Sequence, residues 1–118
     1  MGKVYVTLEI GPHNDRVTPV KFLVDTGSLY TFINPELADQ LGMDFFATNF
    51  AQLPGGAHAD IPVGFAYIRI QDRDGATLVS TTDAAEPRLG SAALQALGLE
   101  VNYKQDTVEF TGLYPTKV

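Results

Sequence analysis

The feature that most constrains this fold is a rhythm of short alternating segments, broken by turn residues about every ten positions. Val4, Val6, Leu8 and Ile10 alternate with Tyr5, Thr7 and Glu9, which puts the aliphatic side chains on one face of a strand. Residues 11–15 carry Gly, Pro, Asn and Asp, the chemistry of a turn, and residues 17–24 read as the returning strand. Residues 30–33 are extended again. Residues 45–53 and 59–70 flank Pro54-Gly55-Gly56 as a second hairpin. Residues 72–75 then turn the chain into the β-branched run at 77–81, and residues 99–103 and 107–110 make a last hairpin. Two short helices interrupt this pattern. Asn34 caps the first, Pro35 occupies its first position and Gly42 closes it; Gly90-Ser91 opens the second, whose Ala92, Ala93, Leu94, Ala96 and Leu97 are stopped by Gly98. The expected class is all-β with one or two short helices, closed or partly closed, in one domain spanning residues 1–118.

Against that background one charge stands out. Asp25-Thr26-Gly27-Ser28 follows directly on Phe22-Leu23-Val24. An ionised carboxylate at the end of an apolar strand is penalised by desolvation unless it has a partner or a role, so Asp25 is a candidate functional group. The tetrapeptide occurs once, and no second Asp-Thr-Gly or Asp-Ser-Gly follows. Alone, such a motif also reads as a strand-end turn with the Asp bonded to nearby backbone.

The net charge of -6 and pI near 4.6 argue against a nucleic-acid partner and do not favour an anionic membrane surface. No cysteine is present, which excludes disulfides and thiol chemistry. No signal peptide and no apolar run approaching a membrane span is evident, so a cytoplasmic protein is the expectation. His13 and His58 are too isolated for a metal site and read as solvated loop residues. Asp72, Asp74 and Asp83 lack calcium-loop spacing and read as a solvated acidic loop. Neither a metal nor another cofactor is expected. Tyr30 or Tyr67 could line a cleft.

The ordered set of motifs resembles the aspartic proteases, specifically the small retropepsin-type group. The segment from Phe22 to Gly27 is similar to that family's strand and active-site turn. Leu53-Pro54-Gly55-Gly56-Ala57 falls where its flap hairpin would be. Leu89-Gly90 and the following helix resemble its hydrophobic-Gly-helix segment, and residues 101–110 its closing strands. The resemblance implies a closed barrel with one lobe per chain, and a homodimer in which each chain gives one Asp25. It implies an aspartic endopeptidase acting on extended peptides or unfolded proteins, with water activated by the Asp25 dyad and neither a metal nor a covalent intermediate. Thr26, Gly27 and Ser28 would shape the turn: Thr26 through a hydroxyl bonded across the dimer, Gly27 by allowing close approach. Ser28 could donate to an outer oxygen of Asp25 and favour its charged form.

The sequence departs from the family in two places. The two positions before Gly90 are usually both aliphatic, but here they are Arg88 and Leu89. Strand alternation leaves Leu89 inward and makes Arg88 a possible cleft residue, where it could silence Asp25, select an acidic substrate side chain, or merely pair with Glu86. The acid and base that many retropepsins carry after the turn and after the helix-side Gly are replaced by Leu29 and Ser91, so the terminal strands would carry more of the dimer. The alternative reading is a catalytically silent peptide-binding or dimerisation module of the same fold.

Overall fold

The alternating N-terminal segment forms β1 (Tyr5–His13), which returns antiparallel as β2 (Arg16–Val24). The structure is a computed structural model and describes residues 2–53 and 55–112. β1 is longer than its turn chemistry suggests. A shift of register between Ile10 and His13 absorbs Gly11 and Pro12 into the strand, leaving only Asn14-Asp15 as the turn. Gly11 is needed there because a Cβ would run into the Arg16 carbonyl.

β3 (Thr31–Ile33) leads into α1 (Pro35–Leu41), which begins and ends as the sequence predicts. Asn34 Oδ1 accepts from Leu37 N at 2.7 Å, and Gly42 takes the left-handed conformation at φ 73°. β4 (Ala47–Gln52) and β5 (His58–Ile70) form the hairpin that the resemblance assigns to the flap, followed by β6 (Arg73–Thr81) and the two-residue β7 (Arg88–Leu89). The β5–β6 turn is Gln71-Asp72, not residues 72–75, because the ladder runs on through Ile68↔Gly75 to Ile70↔Arg73 and Gln71 takes φ 55°. α2 (Ser91–Leu97) ends at Gly98, φ 63°, before the hairpin of β8 (Leu99–Asn102) and β9 (Thr107–Phe110).

The strand order β1-β2-β7-β3-β6-β5-β4 closes on itself because β1 also pairs with β5 through Glu9↔Arg69, Ile10↔Ile68 and Gly11↔Tyr67. The expected closed, mostly β architecture with two short helices is therefore present. β5 belongs to two cores. Its Ala66 and Ile68 face the main core with Leu8, Ile10, Phe22, Ile33, Val79, Leu89, Leu94 and Leu97, whereas Ile61 and Val63 face a smaller cluster with Phe32 beneath the flap. Strict alternation along one strand thus connects barrel and flap.

One ion pair sits on the seam that closes the barrel. Arg69 donates to both Glu9 carboxylate oxygens, at 3.0 and 3.2 Å. These hydrogen bonds hold the Glu9 carboxyl below its ordinary range, against a smaller upward effect of burial. A carboxyl depressed in the folded state adds stability above its unfolded value and loses it as the pH falls through the folded one. Arg69→Gln is accordingly expected to lower the thermal midpoint slightly at pH 7 and to lose that effect below about pH 4. Thermal melts of both proteins from pH 3 to pH 7 check this, and a difference that does not vary with pH would refute it.

Candidate active site

The end of β2 is clamped before it releases Asp25. Leu23 N donates to Pro87 O and Asp25 N to Leu89 O, both at 2.9 Å, while Val24 N donates to Val4 O at 2.8 Å. Phe22 and Leu23 are buried, so the carboxylate is carried on a strand that cannot rotate without opening the core. The turn is closed by Ser28 N bonding Asp25 O at 3.2 Å, and Gly27 N donates to Asp25 Oδ1 at 3.2 Å. A Cβ on Gly27 would meet only Asp25 Oδ1, at 3.5 Å. Nothing among the described residues therefore demands glycine there.

α2 supports the turn from below. The first backbone N–H groups of a helix lack intrahelical partners, and here Ser91 N donates to Ser28 O at 2.7 Å and Ala92 N to Leu29 O at 3.3 Å. Gly90 N donates to the fully buried Thr31 hydroxyl at 3.1 Å. Turn, strand β3 and helix α2 thus form one hydrogen-bonded unit.

The Ser28 hydroxyl differs from expectation. Ser28 Oγ donates to the Tyr30 carbonyl at 3.0 Å and not to Asp25, because Ser28 already leads the chain away from the turn towards β3 and bonds forward along it. Thr26 Oγ1 is paired within its own chain, with the Tyr103 hydroxyl at 3.0 Å. Arg88 does come to the site: its Nη1 lies 3.7 Å from Asp25 Oδ2. Glu86 is engaged elsewhere, accepting from Tyr5, whose hydroxyl is thereby pushed above its usual range.

A pocket of about 540 Å³ lies between this turn and the flap. Asp25, Gly27 and Ser28 line its floor, with Leu29, Tyr30 and Phe32 alongside. Leu53, Gly55 and Gly56 line the flap side together with Ala51, Gln52 and Ile61. At the flap tip Leu53 N donates to Ala57 O at 2.6 Å and Gly56 N to Leu53 O at 3.0 Å. Gly55 and Gly56 adopt φ 96° and 95°, a region that side chains rarely enter, so the glycines are what makes this tip possible. Thr26, Ala57 and Arg88 border the site without lining the pocket. Pro54 lies outside the described residues, as do residues 113–118.

Tyr30 lines the pocket, and its hydroxyl accepts from Asn49 Nδ2 at 2.7 Å, tying the floor to the flap strand. Tyr67 does not line it, donating instead to Asp74 at 2.6 Å across the β5–β6 ladder. Asp74 is consequently a strand residue and not part of an acidic loop. His13 and His58 are exposed but lie on strands; His58 stacks on Phe50 at 5.4 Å. Sequence reasoning missed Asn49, Tyr103, Phe32 and Ile61. Alternation in β5 could have found Ile61; nothing local announces Tyr103. No group of three metal-binding side chains converges among the described residues. None of their helices is long and apolar enough to cross a membrane.

The fold is that of a retropepsin-like protein. The EIAV protease complexed with the inhibitor HBY-793 superposes with a TM-score of 0.60 at 19% identity, covering 86% of this chain and 93% of that one. The aspartyl protease family model matches residues 6–73, which include the Asp25 turn, the flap and most of the barrel, and the chain belongs to that family. No curated protein sequence matches it.

Proposed function

We propose that this protein is an aspartic endopeptidase, one domain over residues 1–118, whose site is completed by a second copy bringing its own Asp25. The observation that carries the reading is the clamped, mostly buried Asp25 carboxylate facing the pocket under a glycine-tipped flap.

Peptide hydrolysis by carboxylates needs one group to take a proton from water and another to give one to the substrate carbonyl. Two carboxylates about 3 Å apart do both, because they cannot both ionise and so hold a single proton between them. The charged Asp25 removes a proton from water while the oxygen attacks the carbonyl carbon, and the protonated Asp25 donates to the carbonyl oxygen. The tetrahedral species then breaks its C–N bond, with a proton passing to the leaving amine. A symmetric pair has no fixed acid and base until substrate binds, so its titration belongs to the pair. One Asp25 per chain requires a two-fold, isologous dimer. The flap would close over an extended peptide and pair with it as an added strand, using the backbone groups near its glycine tip.

Unfolded casein is expected to be cut between pH 3.5 and 7 by the dimer, and cleavage should be blocked by a statine-type inhibitor. Sedimentation at tens of micromolar measures the assembly in the same sample. A verified dimer that cuts nothing at any pH would sink the enzymatic reading. The second reading, a silent peptide-binding or dimerisation module, is favoured by one observation: the Arg88 guanidinium beside Asp25.

A further inference from the structure

Arg88 is the cation paired with Asp25 among the described residues, yet the pairing is loose. A charge-assisted N–H···O bond is normally about 2.8 Å long, whereas Arg88 Nη1 stands 3.7 Å from Asp25 Oδ2 and makes no side-chain hydrogen bond among the described residues. About a third of its side chain is exposed. Its place is fixed by backbone, since β7 pairs with Leu23 of β2 on one side and Phe32 of β3 on the other. The charges around it are few. Asp25 faces it from the turn; Glu86, just before β7, is engaged by Tyr5, over whose ring Lys21 sits; and Leu23, Val24 and Phe32 bring none.

The geometry points to a substrate preference. We propose that Arg88 selects peptides with an acidic side chain next to the scissile bond, an inference that rests on the peptidase reading. Two Asp25 carboxylates sharing one proton carry a single negative charge, and two Arg88 guanidiniums bring two positive ones, so the floor of a two-fold site is positive. That is a local reversal in a chain of net charge -6. The guanidinium fork is free to take a carboxylate in bidentate fashion, which no aliphatic side chain at this position could do. The pocket under the flap is not lined by Arg88, so the acidic side chain belongs to the neighbouring position, beside Asp25.

The test uses two peptides that differ only in Glu or Gln beside the scissile bond, together with their non-cleavable statine counterparts. Cleavage is followed as kcat/KM and binding by fluorescence anisotropy. Near pH 6 the Glu peptide should be preferred roughly ten- to hundredfold, the range of one hydrogen bond to a charged group. The preference should shrink towards unity below about pH 4, where the substrate carboxyl takes up its proton. Arg88→Leu and Arg88→Gln should each abolish it. A wild-type ratio near one, a ratio that survives both substitutions, or a variant that speeds both peptides equally overturns the proposal; the last result would mean that Arg88 silences the site. Preferential binding of the Glu statine peptide without cleavage of either substrate would keep the role of Arg88 and refute the peptidase reading instead.

Discussion

Asp25→Asn is expected to reduce peptide cleavage by at least about a thousandfold, the scale of a lost general acid–base pair, with little change in thermal stability. The asparagine oxygen can still accept from Gly27 N, now 3.2 Å from the carboxylate, and the backbone bonds to Leu89 and Ser28 do not involve the side chain. What the variant lacks is a group able to hold and release a proton. Because the proposed dyad takes one Asp25 from each chain, mixing has a distinctive outcome. Equal amounts of wild-type and Asp25→Asn protein, allowed to exchange, should leave about a quarter of the dimers with two carboxylates. Activity falling to about that level, below simple dilution by half, would support the shared site. Activity falling only by half would mean that each chain works alone, and unchanged activity in the pure variant would remove Asp25 from the mechanism.

Gly90→Ala is the second change with a large expected effect, through contact and not through backbone strain. Gly90 has an ordinary extended conformation, φ -86° and ψ 173°. A Cβ built on it would press into the Tyr30 carbonyl group, 2.5 Å from its carbon, and lie 2.6 Å from the Leu29 oxygen. These are backbone atoms of the segment that links the Asp25 turn to β3, and they cannot swing aside as a side-chain end can. Relief requires moving either α2 or the turn, breaking bonds such as Ser91 N to Ser28 O and Gly90 N to Thr31 Oγ1. Overpacking of this kind costs about 1–3 kcal/mol. Since the displaced segment carries Asp25, kcat should fall more than stability alone accounts for. Thermal melts and kinetics at a temperature where the variant stays folded test both parts. A variant with native kcat would show that the turn does not depend on this packing.

Much of the barrel was legible because its signals are local. The Val4 to Ile10 alternation, Asn34 and Gly42 around α1, and Gly98 after α2 each act through their own backbone or near neighbours, and each appears where expected. The turns at 11–15 and 72–75 were misread for a common reason. Gly11, Pro12, Asp74 and Gly75 carry turn chemistry, but the ladder to the neighbouring strand extends through them and outweighs their local preference. At the site, Asp25, the glycine-rich tip and the proximity of Arg88 were foreseeable from motif order and strand parity. The Ser28 hydroxyl was not, because its choice between the Asp25 carboxylate and the Tyr30 carbonyl depends on the direction in which the chain leaves the turn.

The sequence by itself determined the periodicity of the strands, the ends of the helices, and which charged residue sits at the end of an apolar strand. Those depend on side-chain spacing, caps and turn conformers, all settled within a few residues. Only the tertiary structure decided that β1 pairs with β5 to close the barrel, that Tyr103 reaches Thr26 across 77 positions of sequence, and that Arg88 stands 3.7 Å from Asp25. These contacts join distant segments. The last exists because β7 is held between β2 and β3, and the others likewise depend on strands brought together from far apart in the chain, a constraint that no stretch of it carries alone.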